Sequence, residues 1–192
     1  MKAIVFENKY DGSAPMADFH PWYVVADSAL SNSGKPFYIP EYCGDAAVKV
    51  GIAVKISKLG KYIEPRFAPR YFKEYAPILH FVLPEMMKAL EERKMPVSPA
   101  VSFDKSIIAG DWIPCNEDLP AINLVLELNG HNAKEWKYET DIEVLIHEFS
   151  KMNTLKMGDV IIPPLSEGIV IKQGDFLQVK SNKTSPFSVK VK

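Results

Sequence analysis

Few residues of this 192-residue chain have the types and spacing that catalysis or metal binding requires. The histidines are too scattered to nominate a metal cluster. They are His20, His80, His131 and His147. The sequence has no glycine-rich phosphate loop, no Gly-x-Ser-x-Gly nucleophile elbow and no His-Glu-x-x-His motif. Local motifs therefore provide no strong candidate for a reaction.

The surroundings of the histidines predict mainly structural roles. His20 and His80 each adjoin a phenylalanine, so we expect them to be buried and hydrogen-bonded rather than to ligate a metal. His131 follows a glycine of a predicted turn and is expected to be exposed. His147 lies on a predicted helix, two residues from apolar positions, and is expected to face solvent.

A basic stretch occupies the middle of the chain. It comprises Lys58, Lys61, Arg66, Arg70 and Lys73. Two glutamates, Glu64 and Glu74, lie among these cations. Charges of both signs in one segment are typical of a solvated face, so the sequence favours that interpretation over a binding patch.

Composition excludes several function classes. The 23 basic and 24 acidic side chains give a formal net charge of -1, which lacks the basic excess typical of nucleic-acid binding. No apolar run approaches the roughly 18 to 20 residues of a membrane span, and the N-terminal segment does not resemble a signal peptide. We expect a cytoplasmic protein with no membrane or nucleic-acid partner.

Cys43 and Cys115 are predicted to be reduced thiols.

The elements that must position any site are mostly strands. Residues Val48 to Ile56 alternate between apolar and other residues, which predicts a strand with one buried and one open face. Residues Ile122 to Leu128 followed by Asn129-Gly130 predict a hairpin. Further strands are predicted at Ala3–Phe6, Trp22–Ala26, Ser106–Ile113, Val160–Ile162, Gly168–Ile171, Phe176–Val179 and Ser188–Val191.

Two helices are predicted among these strands. The first begins near Pro84, which suits an opening turn, and ends before Pro96. The second runs from about Asp141 to Met152, with Thr140 as its N-cap and Glu143 completing a capping box. Its apolar stripe is Ile142, Leu145, Ile146 and Phe149.

An ordered set of short segments resembles the fumarylacetoacetate hydrolase family, specifically its short acylpyruvate hydrolase and 2-hydroxyhepta-2,4-diene-1,7-dioate isomerase-like members. The segments are Asp27–Leu30, Lys35–Pro40, Val54–Lys61, Arg66–Tyr71, Ser102–Asp104 and Thr154–Asp159. The resemblance implies a mainly β fold with a few helices (α+β), in which a mixed sheet rolls into a flattened barrel. It also implies a homodimer and one domain over residues 1–192, with residues 1–34 matching more loosely.

The resemblance further implies cleavage or rearrangement beside a 1,3-dicarbonyl, with Mg²⁺ or Mn²⁺ held by three carboxylates. Two of them lie at i and i+2 on one strand and therefore share a face. These glutamate positions fall at Lys49 and Gly51, and the aspartate position falls at His80. A water-activating histidine and glutamate of related enzymes fall at Ser13 and Met16.

Other positions of the family site are also altered. Two family lysines fall at Val101 and Val25, which are apolar. The hydroxyl of a family threonine that contacts the substrate carboxylate falls at Leu165, with Ser166 only as a neighbour. The sequence therefore predicts the family fold without its metal or its catalytic groups, and no cofactor.

Three hypotheses follow from these departures. The first is a non-catalytic member that acts as a scaffold, binding module or partner subunit. In the second, the Lys49 ammonium replaces the cation and binds a small carboxylate or keto acid, with His80 as a possible acid or base. The third is an active hydrolase or isomerase of acylpyruvate-type acids, whose non-standard metal site uses Asp45, Glu41 or Asp111.

Overall fold

The computed structural model describes residues 1–8, 19–41, 44–115, 119–138 and 141–192. The strands are β1 (Ala3–Phe6), β2 (Trp22–Val25), β3 (Leu30–Asn32), β4 (Ala46–Ile56), β5 (Phe72–Val82), β6 (Ile107–Ala109), β7 (Ile113–Pro114), β8 (Asn123–Leu128), β9 (His131–Lys137), β10 (Val160–Ile162), β11 (Ile169–Ile171), β12 (Phe176–Ser181) and β13 (Phe187–Lys190). The helices are α1 (Pro84–Glu92), α2 (Ser98–Val101) and α3 (Ile142–Met152), with 3-10 segments at Asp27–Ala29 and Pro65–Tyr71.

The larger of two sheets is mixed and curls into a half-barrel. Within the described residues it has nine strands, in the order β2-β1-β10-β4-β5-β6-β3, with β11 paired to β4 and β7 paired to β5. The pairs β1–β10 and β3–β6 are parallel. A four-stranded sheet has the order β13-β12-β8-β9. The mainly β architecture with a few helices is the one that the sequence predicted.

Strand β4 is buried on both faces, so the prediction of one open face is wrong. Only Lys49 and Lys55 are less than fully buried along it. Its alternate valines and isoleucines join the main core with α3 and the smaller sheet. The other face carries Ala53, which packs in a second cluster with Ala76 and other small residues. These small side chains occupy little volume, which lets the sheet curl closely over this face.

The long strand β5 was not predicted from the sequence. Pro77 lies in its middle and interrupts the pattern expected of a strand, because proline cannot donate to a ladder. The same residue explains why the predicted strand Ser106–Ile113 is divided into β6 and β7. Pairing stops between them, where Gly110 N donates to Pro77 O at 2.9 Å, and resumes at Tyr75 and Ile113.

Most other predicted strands are present within two residues of their predicted ends. The predicted hairpin is confirmed, because Asn129 and Gly130 have φ of 53° and 83° and join β8 to β9.

Both predicted helices are present. The start of α1 at Pro84 and the buried stripe of α3 are as expected. The observed N-cap of α3 is Asp141, whose side chain accepts from Glu143 N at 3.0 Å, whereas Thr140 lies outside the described residues. His147 is half-buried rather than facing solvent, because the segment after β4 folds over α3 and places Ile63 O 2.8 Å from His147 Nδ1.

Two further predictions concern membrane and thiol chemistry. None of the helices in the described parts of the chain has the length and hydropathy to cross a membrane. Cys115 is a buried free thiol, and Cys43 lies outside the described residues.

Candidate functional site

The structure brings together the three positions that the resemblance assigns to metal ligands. Lys49 and Gly51 are two residues apart on β4 and therefore share a face of the sheet. Across the β4–β5 ladder, Lys49 is the direct partner of His80 and Gly51 is the partner of Ile78. Directly opposed residues also share a face, so Lys49, Gly51 and His80 form one continuous patch.

Lys49 is the polar group of this patch that solvent can reach. Its side chain is 21% exposed, and its Nζ lies 3.9 Å from Glu7 Oε1, just beyond the end of β1. That distance exceeds the usual 2.7–2.9 Å of a charge-assisted hydrogen bond. The stem passes beside Gly168, since a Cβ added there would lie 3.9 Å from Lys49 Cγ. The ammonium is therefore only loosely neutralised.

His80 is completely buried, as the sequence predicted. The pKa of His80 is lowered to about 4, chiefly by burial and to a smaller extent by the charge of Lys49, while a hydrogen bond to the Val101 carbonyl acts in the opposite direction. The neutral ring donates from Nε2 to Val101 O at 2.9 Å, and Nδ1 has no hydrogen-bond partner among the described residues. His80 is thus an uncharged core side chain near neutral pH.

Gly51 leaves a space that Leu165 fills. A Cβ added at Gly51 would lie 2.4 Å from Leu165 Cδ2, closer than real side chains approach. Leu165 is half-buried and packs against the cluster that contains Ala53. A longer side chain at position 51 would have to displace this leucine.

The remaining predicted site positions are apolar or already hydrogen-bonded. Val25 and Val101 are buried in the core. Ser166 Oγ accepts from Val50 N and donates to Glu167 O, both at 2.9 Å. These residues leave no free hydroxyl or amine beside the patch, while Ser13 and Met16 lie outside the described residues.

Sequence reasoning missed two neighbours of the patch, Glu7 and Tyr23. The Tyr23 and His80 ring centroids lie 6.3 Å apart. Burial, with the nearby Glu7 carboxylate, raises the pKa of Tyr23, so the phenol stays protonated. Neither residue belongs to a motif, and only the β1–β2 pairing brings them to this position.

The sequence pattern of the family described as "Fumarylacetoacetate (FAA) hydrolase C-terminal" matches residues 5–188. The chain belongs to this family. Oxaloacetate tautomerase YcgM of Escherichia coli (strain K12) is 26% identical to it over 164 residues, which are 82% of this chain and 75% of that protein.

Solved structures of the fumarylacetoacetate hydrolase family share the fold. Fumarylpyruvate hydrolase from Pseudomonas aeruginosa, in complex with Mn²⁺ and pyruvate, is 16% identical with a TM-score of 0.88, covering 100% of this chain and 89% of that one. The 2-hydroxyhepta-2,4-diene-1,7-dioate isomerase from Mycobacterium marinum is 16% identical with a TM-score of 0.84, covering 99% of this chain and 73% of that one.

The residues of the patch do not fit the divalent metal that the family resemblance implies. Mg²⁺ and Mn²⁺ prefer several oxygen ligands, whereas Lys49 presents a cation, Gly51 has no side chain and His80 is buried. Across the described ranges, no three His, Cys, Asp or Glu side chains are grouped to hold a metal. The alternative ligands Glu41, Asp45 and Asp111 are exposed and belong to no such group.

The contact of Gly51 with Leu165 gives a stability prediction. Gly51→Ala should lower the free energy of unfolding by about 1–3 kcal/mol, because the added methyl overpacks a filled space. Adding Leu165→Ala should recover part of that loss. Gly168→Ala is the matched control, because its nearest contact would be 3.4 Å from Ala47 Cβ. Urea unfolding of Gly51→Ala, Leu165→Ala, their double variant and Gly168→Ala measures the coupling, and an equal loss at both glycines would contradict it.

Proposed function

We propose that this chain is a fumarylacetoacetate hydrolase-family protein that has lost the metal-dependent reaction and serves as a non-catalytic or ligand-binding member. The observation that carries the proposal is the patch itself, with Lys49 and His80 adjacent and Leu165 over Gly51. All three metal-ligand positions are altered together, which is more than drift at one position would produce.

The chemistry of the patch supports this proposal. A divalent cation polarises a keto acid and stabilises the developing enolate, a contribution of several kcal/mol. Lys49 would repel such a cation, and Glu7 is the one carboxylate paired with Lys49 among the described residues, fewer than the several oxygen ligands that the cation needs. His80 has no solvent access and a depressed pKa of about 4, so it is a poor general base at its present position.

A second role follows from the loose pairing of Lys49. An accessible ammonium 3.9 Å from the Glu7 carboxylate, its one ion-pair partner among the described residues, can exchange that partner for the carboxylate of a ligand. The E. coli relative is named for a keto acid, and the P. aeruginosa structure contains pyruvate. We therefore propose small carboxylates or keto acids as the ligand class of Lys49, without a metal.

The proposal is tested by thermal unfolding with Mg²⁺ or Mn²⁺, alone and with oxalate or pyruvate, because a ligand of the native state raises the melting temperature. We expect no stabilisation that requires a metal. Pyruvate alone should stabilise the protein, and Lys49→Met should abolish the effect. Lys88→Met, at an exposed position of α1, is the matched control and should retain it.

Activity assays complete the test. Fumarylpyruvate hydrolysis and oxaloacetate tautomerisation should remain at the uncatalysed rate with or without Mn²⁺. Metal-dependent turnover, or stabilisation only by Mn²⁺ together with oxalate, would restore the alternative of an active hydrolase or isomerase. Absence of any pyruvate effect would eliminate the Lys49 site and leave the non-catalytic role.

The homodimer and the single domain are proposed on the family resemblance, and the cytoplasmic location on the composition and hydropathy of the sequence. We propose a homodimer formed by one domain over residues 1–192, located in the cytoplasm. Sedimentation equilibrium would measure the dimer directly.

A further inference from the structure

A groove of about 1080 Å³ opens at the far ends of β4 and β5. Four chain segments line it, from the end of β4, the start of β5, β7 and the loop before β10. Lys55 in this groove is six residues along β4 from Lys49, which corresponds to about 20 Å at ~3.3 Å per residue. The groove is therefore separate from the patch around Lys49, and the proposed function does not use it.

Among the described residues, the glutamates of the basic stretch neutralise one cation of the groove, Lys55. Lys55 Nζ binds Glu74 Oε2 at 2.8 Å and lies over the Trp112 ring at 4.2 Å. Glu74 is the one acidic side chain among the described residues that line the groove. The other glutamate, Glu64, binds Arg66 at 2.8 Å and does not line it.

Three basic side chains of the groove have no carboxylate partner within the described part of the chain: Lys58, Arg70 and Lys73. These side chains are exposed, as the solvated face predicted from the sequence requires, and the fold places them along one concave surface. A concave surface with a net excess of one sign of charge concentrates its field and favours a counter-ion.

The local fold explains how these cations converge. The 3-10 segment Pro65–Tyr71 carries Arg70 to the rim and is joined to the end of β4 where Ser57 N donates to Tyr71 O at 2.7 Å. Lys73 lies at an irregularity of the β4–β5 ladder, where Lys55 pairs with Glu74 but Ile56 pairs with Phe72. Such a bulge redirects a side chain away from the regular alternation.

Ser57 provides an observation independent of charge. Its Oγ is buried and has no hydrogen-bond partner among the described residues, although Ser57 lines the groove. Buried hydroxyls are normally hydrogen-bonded, so the Ser57 hydroxyl can take a further partner. Because its Oγ has almost no solvent contact, the Ser57 side chain would have to rotate to meet a ligand oxygen in the groove.

We propose that this groove binds a small molecule carrying a doubly charged oxyanion group, either a phosphate ester or a dicarboxylic acid. Arg70 offers the planar fork that binds two oxygens of one anion, and Lys58 and Lys73 add charge around it. The volume lies near the upper end of the 300–1,000 Å³ typical of small-molecule sites, so it leaves room for the rest of such a ligand.

The test titrates the whole protein with inorganic phosphate or malonate, against sodium chloride at the same ionic strength. Thermal unfolding gives the affinity, and amide chemical shifts of Ser57 and Gly158 locate the site. Either dianion should stabilise the protein more than chloride, and the stronger one identifies the ligand class. The double variant Lys58→Met/Lys73→Met should weaken binding about tenfold, equivalent to about 1.4 kcal/mol.

Two controls separate this site from other effects. Lys88→Met/Lys183→Met removes the same charge from exposed positions outside the groove and should keep the affinity. Lys49→Met should also keep the affinity of the groove for the dianion. A failure of the groove proposal can therefore be distinguished from a failure of the proposed function at Lys49. A response no larger than that to chloride, or an unchanged affinity in Lys58→Met/Lys73→Met, would overturn the proposal. The proposal would also be overturned if no anion response is seen and Lys58→Met/Lys73→Met changes the oligomer mass. That result would assign the groove to an interface between copies of the chain.

Discussion

Acidification from neutral pH to about pH 4 is expected to remove about 3 kcal/mol of stability through His80 alone. Its pKa is lowered from 6.5 to about 4 in the folded chain, chiefly because the ring is fully buried. Each unit of pKa difference corresponds to about 1.36 kcal/mol, which gives the expected loss.

The direction follows from proton binding in the two states. Between pH 6.5 and about 4, the unfolded chain binds a proton at His80 that the folded chain does not. The stabilisation is therefore complete above the unfolded pKa and is lost as the pH falls towards the folded pKa. Protonation of the folded state would place a buried charge beside Lys49, which is its direct cross-strand partner.

Urea unfolding near neutral pH, at about pH 5.5 and at about pH 4.5 measures this loss. The variant His80→Gln cannot gain the proton, so its free energy of unfolding should fall less steeply with pH. His131→Gln is the control, because His131 is exposed and its replacement should leave the slope unchanged. If His80→Gln and the parent protein lose equal stability on acidification, His80 is not the buried neutral group described above.

The extent to which the sequence predicted the fold depends on where each strand lies in the sheet. Strand β4 was found because its alternation is regular, and β1 and β10 were found at their observed ends. Strand β5 was missed because Pro77 breaks its pattern, although the pairing with β4 tolerates a proline. The second face of β4 is buried because the whole sheet curls. The alternation of residues within one strand does not predict that curl.

The candidate site shows the same limit. The family resemblance predicted the substitutions at Lys49, Gly51 and His80, and the strand register brings these residues together. It did not predict that Leu165 fills the space over Gly51 or that the Val101 carbonyl binds His80. Both contacts join residues that are far apart in sequence, so no spacing rule identifies them.

The groove was missed for a related reason. The two glutamates within the basic stretch favoured a solvated face over a binding patch, but the fold sets which cations those glutamates pair with. Glu74 binds Lys55 across the ladder, and Glu64 binds its near neighbour Arg66. Charge balance along a sequence therefore does not predict charge balance on a surface.

Asp159→Ala is expected to lower the free energy of unfolding by about 3 kcal/mol, because it removes a buried carboxylate that accepts two backbone hydrogen bonds and pairs with the half-buried Lys2 side chain. Asp159 is 1% exposed and accepts from Lys2 N at 3.1 Å and from Lys156 N at 2.8 Å. Its carboxylate also forms an ion pair with the Lys2 ammonium. These contacts join the start of β1 to the turn before β10, so the Gly-Asp motif of the family resemblance acts structurally here.

The chain contains a matched control for this prediction in a second turn of the same local design. Lys172 N donates to Asp175 Oδ2 at 2.7 Å, and Gly174, like Gly158, has a positive φ. Asp175 is half-buried, with Asn129 as its side-chain donor. Asp175→Ala should therefore cost only about 1 kcal/mol, the typical contribution of a hydrogen bond.

The two turns share their geometry. The difference between the losses in free energy of unfolding of Asp159→Ala and Asp175→Ala therefore gives the contribution of burial and of the pairing with Lys2. Asp159→Asn should fall between the parent protein and Asp159→Ala, since it keeps an acceptor oxygen but loses the charge. Urea unfolding at neutral pH measures all three variants. Equal losses for Asp159→Ala and Asp175→Ala would mean that the turn, rather than the connection to β1, carries the stabilisation.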